Sequence, residues 1–196
     1  MRRIAACAIV ILTLLAAGCR TLPAPVSVAG SWETRRAALQ GREHFQLKGR
    51  VAVAAGQEGF TASLHWVQDA RKSQVSLEGP LGVGGVQVTA DGIGMSVVNS
   101  RGERLDSEAA RAALRSRLGF DAPLASLRYW ILGVPDPSAT ATEVLDAERR
   151  LSGLEQNGWQ IDYSDYRVVA GEWLPSRITL HSADVRVRLI VDHWDS

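Results

Sequence analysis

Residues 44–66, HFQLKGRVAVAAGQEGFTASLHW, decide the fold. Phe45, Leu47, Gly49, Val51 and Val53 fall on one face of an extended chain, with Gln46, Lys48 and Arg50 on the other. Side chains of a strand point alternately to opposite faces, so this period of two describes a strand with one buried side. A glycine-rich turn follows, and Phe60, Ala62, Leu64 and Trp66 then alternate with Thr61, Ser63 and His65. Two such runs joined by a tight turn make an antiparallel pair.

The same signal extends on both sides. Val75 and Leu77 precede a break at Gly79-Pro80-Leu81-Gly82, and Val86 and Val88 follow it. Asp91-Gly92 and Arg101-Gly102 mark turns around residues 95–99. Near the C-terminus Asn157-Gly158 is a hairpin dipeptide, with Trp159, Ile161 and Tyr163 alternating after it. Ile178 and Leu180 lead into a turn at Ser182-Ala183-Asp184, and Val185, Val187, Leu189 and Val191 alternate beyond it.

Helical spacing interrupts the strands. Asp106 or Ser107 caps a helix carrying Ala110, Leu114 and Leu118, with Gly119 at its end. Pro123 opens another, with Leu124, Leu127, Trp130 and Ile131 on one side and Gly133 past its end. A third runs from Ser31, an N-cap residue, towards Gly41. Strands, helices and strands again predict an α+β fold: a curved antiparallel sheet with helices on its concave side.

The 196 residues carry 22 Lys+Arg against 21 Asp+Glu, and no basic run occurs. Nucleic acid is excluded as the main partner, because phosphate binding needs concentrated positive charge. Residues 1–18 read as a signal peptide: Arg2 and Arg3 precede an uncharged run too short to span a bilayer. Leu15-Ala16-Ala17-Gly18-Cys19 resembles the lipobox of bacterial lipoproteins, which makes Cys19 the lipid-attachment residue. That resemblance implies cleavage before Cys19, and Arg20 in place of an aspartate favours the outer membrane. Cys7 leaves with the signal, so no thiol remains for a disulfide, a zinc cluster or a nucleophile. Residues 19–30, rich in proline and small residues, read as a tether, and 31–196 as one domain.

Chemistry-bearing constellations are scarce. Gly82-Val83-Gly84-Gly85 lacks the third glycine and the helix of a dinucleotide site. The four histidines, His44, His65, His181 and His193, have no ligand spacing, and Asp162 and Asp165 read as a solvated face. The expectation is a non-enzyme with no metal and no cofactor. Six tryptophans stand out instead. On a curved sheet they either fill a core or line a greasy cavity. Leu81, between Pro80 and Gly82, either folds back into the core or forms an apolar loop tip that enters a bilayer.

One family joins these features in order. Its elements are the lipobox at Cys19, Trp32, the KGRVAV of 48–53, Trp66, the GPLG of 79–82 and Pro123-Leu124. They continue with LRYWILGVP at 127–135, QNGW at 156–159, Tyr163, Tyr166, Leu174-Pro175 and Trp194. Across nearly the whole mature chain this resembles the LolB family of outer-membrane lipoprotein receptors. The resemblance implies an unclosed antiparallel β-barrel under a helical lid (LolA/LolB-like), monomeric, lipid-anchored to the outer membrane and facing the periplasm. It also implies that client lipoproteins arrive from the carrier LolA, are held by their acyl chains and are inserted into the inner leaflet of the outer membrane.

By that resemblance Pro80, Leu81 and Gly82 form the insertion loop, and Trp66, Leu127, Trp130 and Ile131 are the expected cavity residues. The glycines after Leu81 and the additional Trp173 depart from the commoner pattern and bear on local loop shape. The alternative reading is an outer-membrane-anchored assembly or scaffold lipoprotein with a filled core.

Overall fold

A computed structural model describes residues 30–80 and 84–195. The signal segment, residues 19–29 of the tether with Cys19, and the loop residues Leu81, Gly82 and Val83 lie outside the described residues. Eleven strands form one antiparallel sheet whose two edge strands do not pair with each other, so the barrel is unclosed.

The long central pair, β1 (His44–Ala55) and β2 (Glu58–Asp69), pairs along its full length from His44↔Asp69 to Ala55↔Glu58. Phe45, Leu47, Ala62, Leu64 and Trp66 are buried, as the alternation requires. On one side follow β3 (Lys72–Glu78), β4 (Val86–Ala90), β5 (Met95–Asn99) and the short β6 (Arg104–Asp106). On the other, β11 (Val185–Asp195) pairs β1 across a register shift at Lys48/Gly49 and leads to β10 (Glu172–Ser182), β9 (Trp159–Val169), β8 (Leu151–Gln156) and β7 (Ala141–Leu145). Asn157 and Gly158 have φ of 52° and 75° between β8 and β9. Two left-handed residues in succession make the turn that matches strand twist.

Three helices occur among the described residues. In α1 (Trp32–Gln40) Ser31 caps the Thr34 N–H at 3.3 Å. The helix seats on the β7–β8 end: Trp32 Nε1 donates to Glu143 at 2.6 Å, Arg36 pairs with the same carboxylate, and Gln40 donates to the Pro135 carbonyl. Helix α2 (Ser107–Leu118) buries Ala110, Leu114 and Leu118 and stops at Gly119, whose φ of 82° suits a residue without a Cβ. Asp106 occupies its N-cap position, but the carboxylate bonds Arg104 rather than the helix. Helix α3 (Leu124–Trp130) follows Pro123.

Strands β6, β7 and β8 go beyond the sequence expectation. β6 is exposed throughout, and β7 alternates only between half-buried and exposed residues. Edge strands are held by ladder hydrogen bonds and lack the apolar alternation that announces inner ones.

Candidate functional site: an apolar cavity under the helices

Inward-facing residues of the sheet and the facing sides of α2 and α3 line a partly open cavity of about 110 Å³. Every residue around it is apolar. Val51, Leu64, Trp66, Val75 and Val88 line it from the strands, Leu114 and Leu118 from α2, and Leu124, Leu127, Trp130 and Ile131 from α3 and its end. Phe120, Ala122 and Pro123 close it from the segment between the two helices. All four residues expected from the sequence, Trp66, Leu127, Trp130 and Ile131, thus stand around one space. Trp159 joins them, its ring 5.5 Å from Phe120 and 6.4 Å from Trp130.

Tryptophan brings one polar atom, and a buried indole N–H needs a partner. Here two glutamines supply it from outside the cavity. Trp66 Nε1 donates to Gln68 Oε1 at 3.2 Å, and Gln68 is itself held by the Ser73 hydroxyl and the Ala70 carbonyl. Trp130 Nε1 donates to Gln156 Oε1 at 2.7 Å. Both indoles therefore turn only carbon towards the space.

Gln156 belongs to a larger polar knot at the end of α3. Its oxygen also accepts the Asp136 N–H, and its amide donates to the Asp136 and Ala139 carbonyls, each at 2.8 Å. The Asp136 carboxylate accepts the Ser126 hydroxyl at 2.7 Å and the Ser138 hydroxyl and N–H. Burial pushes the Asp136 pKa up, but the bonds from Ser138 and Ser126, with Arg128 nearby, outweigh it and hold the carboxyl below its usual range. Asn157 ties the Ser126 hydroxyl to the β8–β9 turn. The C-terminal end of α3 is thereby fastened to the sheet, and α2, packed on β5 and β6, continues into α3 through residues 119–123.

The volume is that of a pocket for one small apolar molecule, since a cavity of about 150 Å³ takes a benzene. The space is smaller than the acyl chains of a lipoprotein. The other tryptophans have other places. Trp194 packs edge-on against Phe45 at 6.1 Å, Trp32 serves α1, and Trp173 stacks on the Arg150 guanidinium at 5.1 Å. Among the described residues no cluster of His, Cys, Asp and Glu is arranged for a metal. His44 and His193 are exposed beside Asp69 and Asp195, His65 is half-buried on the outer face between Lys48 and Ser76, and Asp165 pairs with Arg177.

The family model described as outer membrane lipoprotein LolB matches residues 43–194, the whole sheet and both lid helices. The chain belongs to the LolB family. The outer-membrane lipoprotein LolB of Nitrosococcus oceani is 36% identical over 185 residues, covering 92% of each chain. That of Pseudomonas aeruginosa is 32% identical over 185 residues, covering 92% of this chain and 90% of the relative.

Among solved structures, a DUF1329 family protein from Desulfovibrio piger shares the fold with a TM-score of 0.56 at 10% identity, over 83% of this chain and 89% of that one. A putative outer membrane lipoprotein-sorting protein domain from Vibrio parahaemolyticus does so with a TM-score of 0.52 at 7% identity, over 84% and 90%. The open antiparallel barrel with helices over its concave face is thus the fold of this LolB-family chain and of lipoprotein-sorting domains alike. No described helix is long and apolar enough to cross a membrane.

Gln68, which holds the Trp66 indole, escaped the sequence reading, and Gln156 entered it only as part of the QNGW element, without its role as partner of Trp130. The signal of Gln68 was present, since it continues the inward series Ala62, Leu64, Trp66, where a polar residue needs a buried partner.

Proposed function

We propose that this chain localises lipoproteins by accepting them from the carrier LolA, holding their acyl chains under α2 and α3 and inserting them into the inner leaflet of the outer membrane. It does so anchored at Cys19 and facing the periplasm, and no covalent chemistry is involved. LolB-family membership supports the coarser part, a role in lipoprotein localisation at the outer membrane. The observation that carries the finer part is the cavity whose lining is apolar throughout.

The energetics ask for such a site. Each methylene exposed to water costs about 0.8 kcal/mol, so an acylated client does not cross an aqueous space unshielded. Transfer between two apolar sites needs only a difference in affinity, about 1.4 kcal/mol for each tenfold. In this reading residues 119–123, the link between the two helices, move out while Gln156 keeps the end of α3 in place and α2 stays on β5 and β6, and the pocket widens to the size of acyl chains. Leu81, between Pro80 and Gly82, then leads the client into the bilayer.

The small volume of about 110 Å³ also suits the alternative, a scaffold lipoprotein with a filled core. A Cys19→Ala protein separates the two. It takes up an apolar fluorescent probe and accepts acylated client from LolA; failure of both gives the scaffold reading. Leu81→Glu retains acceptance and loses delivery into liposomes, and normal delivery by that variant removes the loop from the mechanism.

A further inference from the structure

The chain enters the β3–β4 loop at Pro80 and leaves it at Gly84, and an arginine from a different element stands beside each end. Arg117, exposed on the last turn of α2, donates to the Gly84 carbonyl. Arg188, exposed on the outer face of β11, borders a groove of about 300 Å³ that Pro80 closes at one side. Ala52 and Ile190 form its floor, and Thr61 and Ser63 bring hydroxyls to its wall.

The acidic neighbours leave these two charges available. Asp192 is engaged by Arg50 through two bonds of 2.8 and 3.0 Å. Glu78 lies across from Ser63 at the end of β3, and Arg188 has Thr179 and Ala52 as its cross-strand partners. Among the described residues neither Arg117 nor Arg188 pairs with a carboxylate.

We propose that Arg117 and Arg188, with the Thr61 and Ser63 hydroxyls, bind phosphate groups of an anionic phospholipid surface on both sides of the β3–β4 loop. Guanidinium is the side chain that grips phosphate by two parallel hydrogen bonds, and hydroxyls complete such a contact. Basic residues flanking an apolar segment give the pairing that holds a protein at a membrane interface, charge to headgroup and carbon to acyl region. The two arginines come from opposite faces of the sheet and bracket the loop, which orients the barrel end towards the lipid. This deepens the insertion role and rests on it.

The test uses Cys19→Ala protein throughout, so that the N-terminal contribution is common to all variants. Co-sedimentation with vesicles of phosphatidylglycerol in phosphatidylcholine is compared with pure phosphatidylcholine. Binding is stronger to the anionic vesicles and falls with added salt, and Arg117→Gln and Arg188→Gln each weaken it about fivefold, the effect of one basic residue at a charged surface. Arg149→Gln, at the distant β7–β8 turn, leaves it unchanged.

Equal binding by the parent and both arginine variants overturns the proposal, as does an equal loss in Arg149→Gln, which makes the effect one of net charge. Competition by millimolar inorganic phosphate as strong as that by vesicles assigns the groove to a free anion and also overturns it. Delivery by Leu81→Glu into pure phosphatidylcholine tests the insertion reading separately, so failure of the collar and failure of the loop are told apart.

Discussion

Trp130 at the end of α3 and Gln156 at the end of β8 share a 2.7 Å hydrogen bond that fixes a lid helix to the sheet and turns the Trp130 indole N–H away from the cavity. Gln156 satisfies four groups at once: the indole, one backbone N–H and two carbonyls. Replacing it by leucine keeps the bulk and orphans all of them. An unsatisfied buried group costs about 1–3 kcal/mol. Gln156→Leu is therefore expected to lower stability by about 4 kcal/mol or more in urea denaturation. It also raises the hydrogen-exchange rate of the α3 amides above that of β1, because the helix loses its fastening before the sheet melts. Uniform exchange across both elements shows that α3 is held by something else.

Gly49 meets the β11 backbone where the register shifts. A Cβ at this inward position overlaps the Ile190 carbonyl oxygen. The obstacle is main chain on a central strand and has no rotamer by which to yield. Gly49→Ala is expected to cost about 2–3 kcal/mol, at the upper end for overpacking. Gly94→Ala has open space around it and stays within about 0.5 kcal/mol of the parent. Two thermal melts decide the point, and parity between the variants refutes the clash.

The central strands were legible in the sequence because each carries its own evidence: Phe45, Leu47, Val53, Leu64 and Trp66 alternate locally, and burial of one face is enough to produce that pattern. Helix stops at Gly41, Gly119 and Gly133 were legible for the same reason. β7 was not, since Glu143 faces α1 and an edge strand needs no apolar alternation. Nor was the division among tryptophans. Trp66 and Trp194 both sit inward on strands, yet one borders a void and the other packs on Phe45. Whether facing side chains fill the space between them depends on residues far apart in sequence, such as Phe120 and Val88, and no local period records it.

Asp136 gives the lid a pH dependence. Its carboxyl is held below the ordinary value of 3.8 in the folded protein, by bonds from Ser138 and Ser126 that outweigh burial. A group with a depressed folded pKa stabilises above its unfolded pKa and loses that contribution as pH falls through the folded one. The contribution is complete from about pH 5 upward and is lost only in acid below the ordinary carboxylate value. Asp136→Asn removes the charge, so the difference in melting temperature between parent and variant is expected to be constant at neutral pH and to shrink below pH 4. A difference that stays constant down to pH 3 means the carboxylate titrates alike in both states.

Ala122 offers the sharpest separation of cavity from core. It lines the space between the two lid helices and is small where its neighbours Phe120 and Leu124 are large. Leucine adds three carbons there. Burial of about 0.8 kcal/mol per carbon, less about 0.5–1 kcal/mol of rotamer entropy, leaves the fold unharmed or slightly firmer if the void accepts them. A ligand that needs the same void loses its place. Ala122→Leu is therefore expected to melt at or above the parent temperature and to bind an apolar fluorescent probe about tenfold more weakly, a difference of about 1.4 kcal/mol. Ala125→Leu, on the exposed side of α3, changes neither property. A drop in melting temperature with undiminished probe binding shows that the site was already full and that the probe lodges elsewhere. Loss of binding at preserved stability puts the ligand under α2 and α3, because only occupancy of that space links the two measurements in this direction.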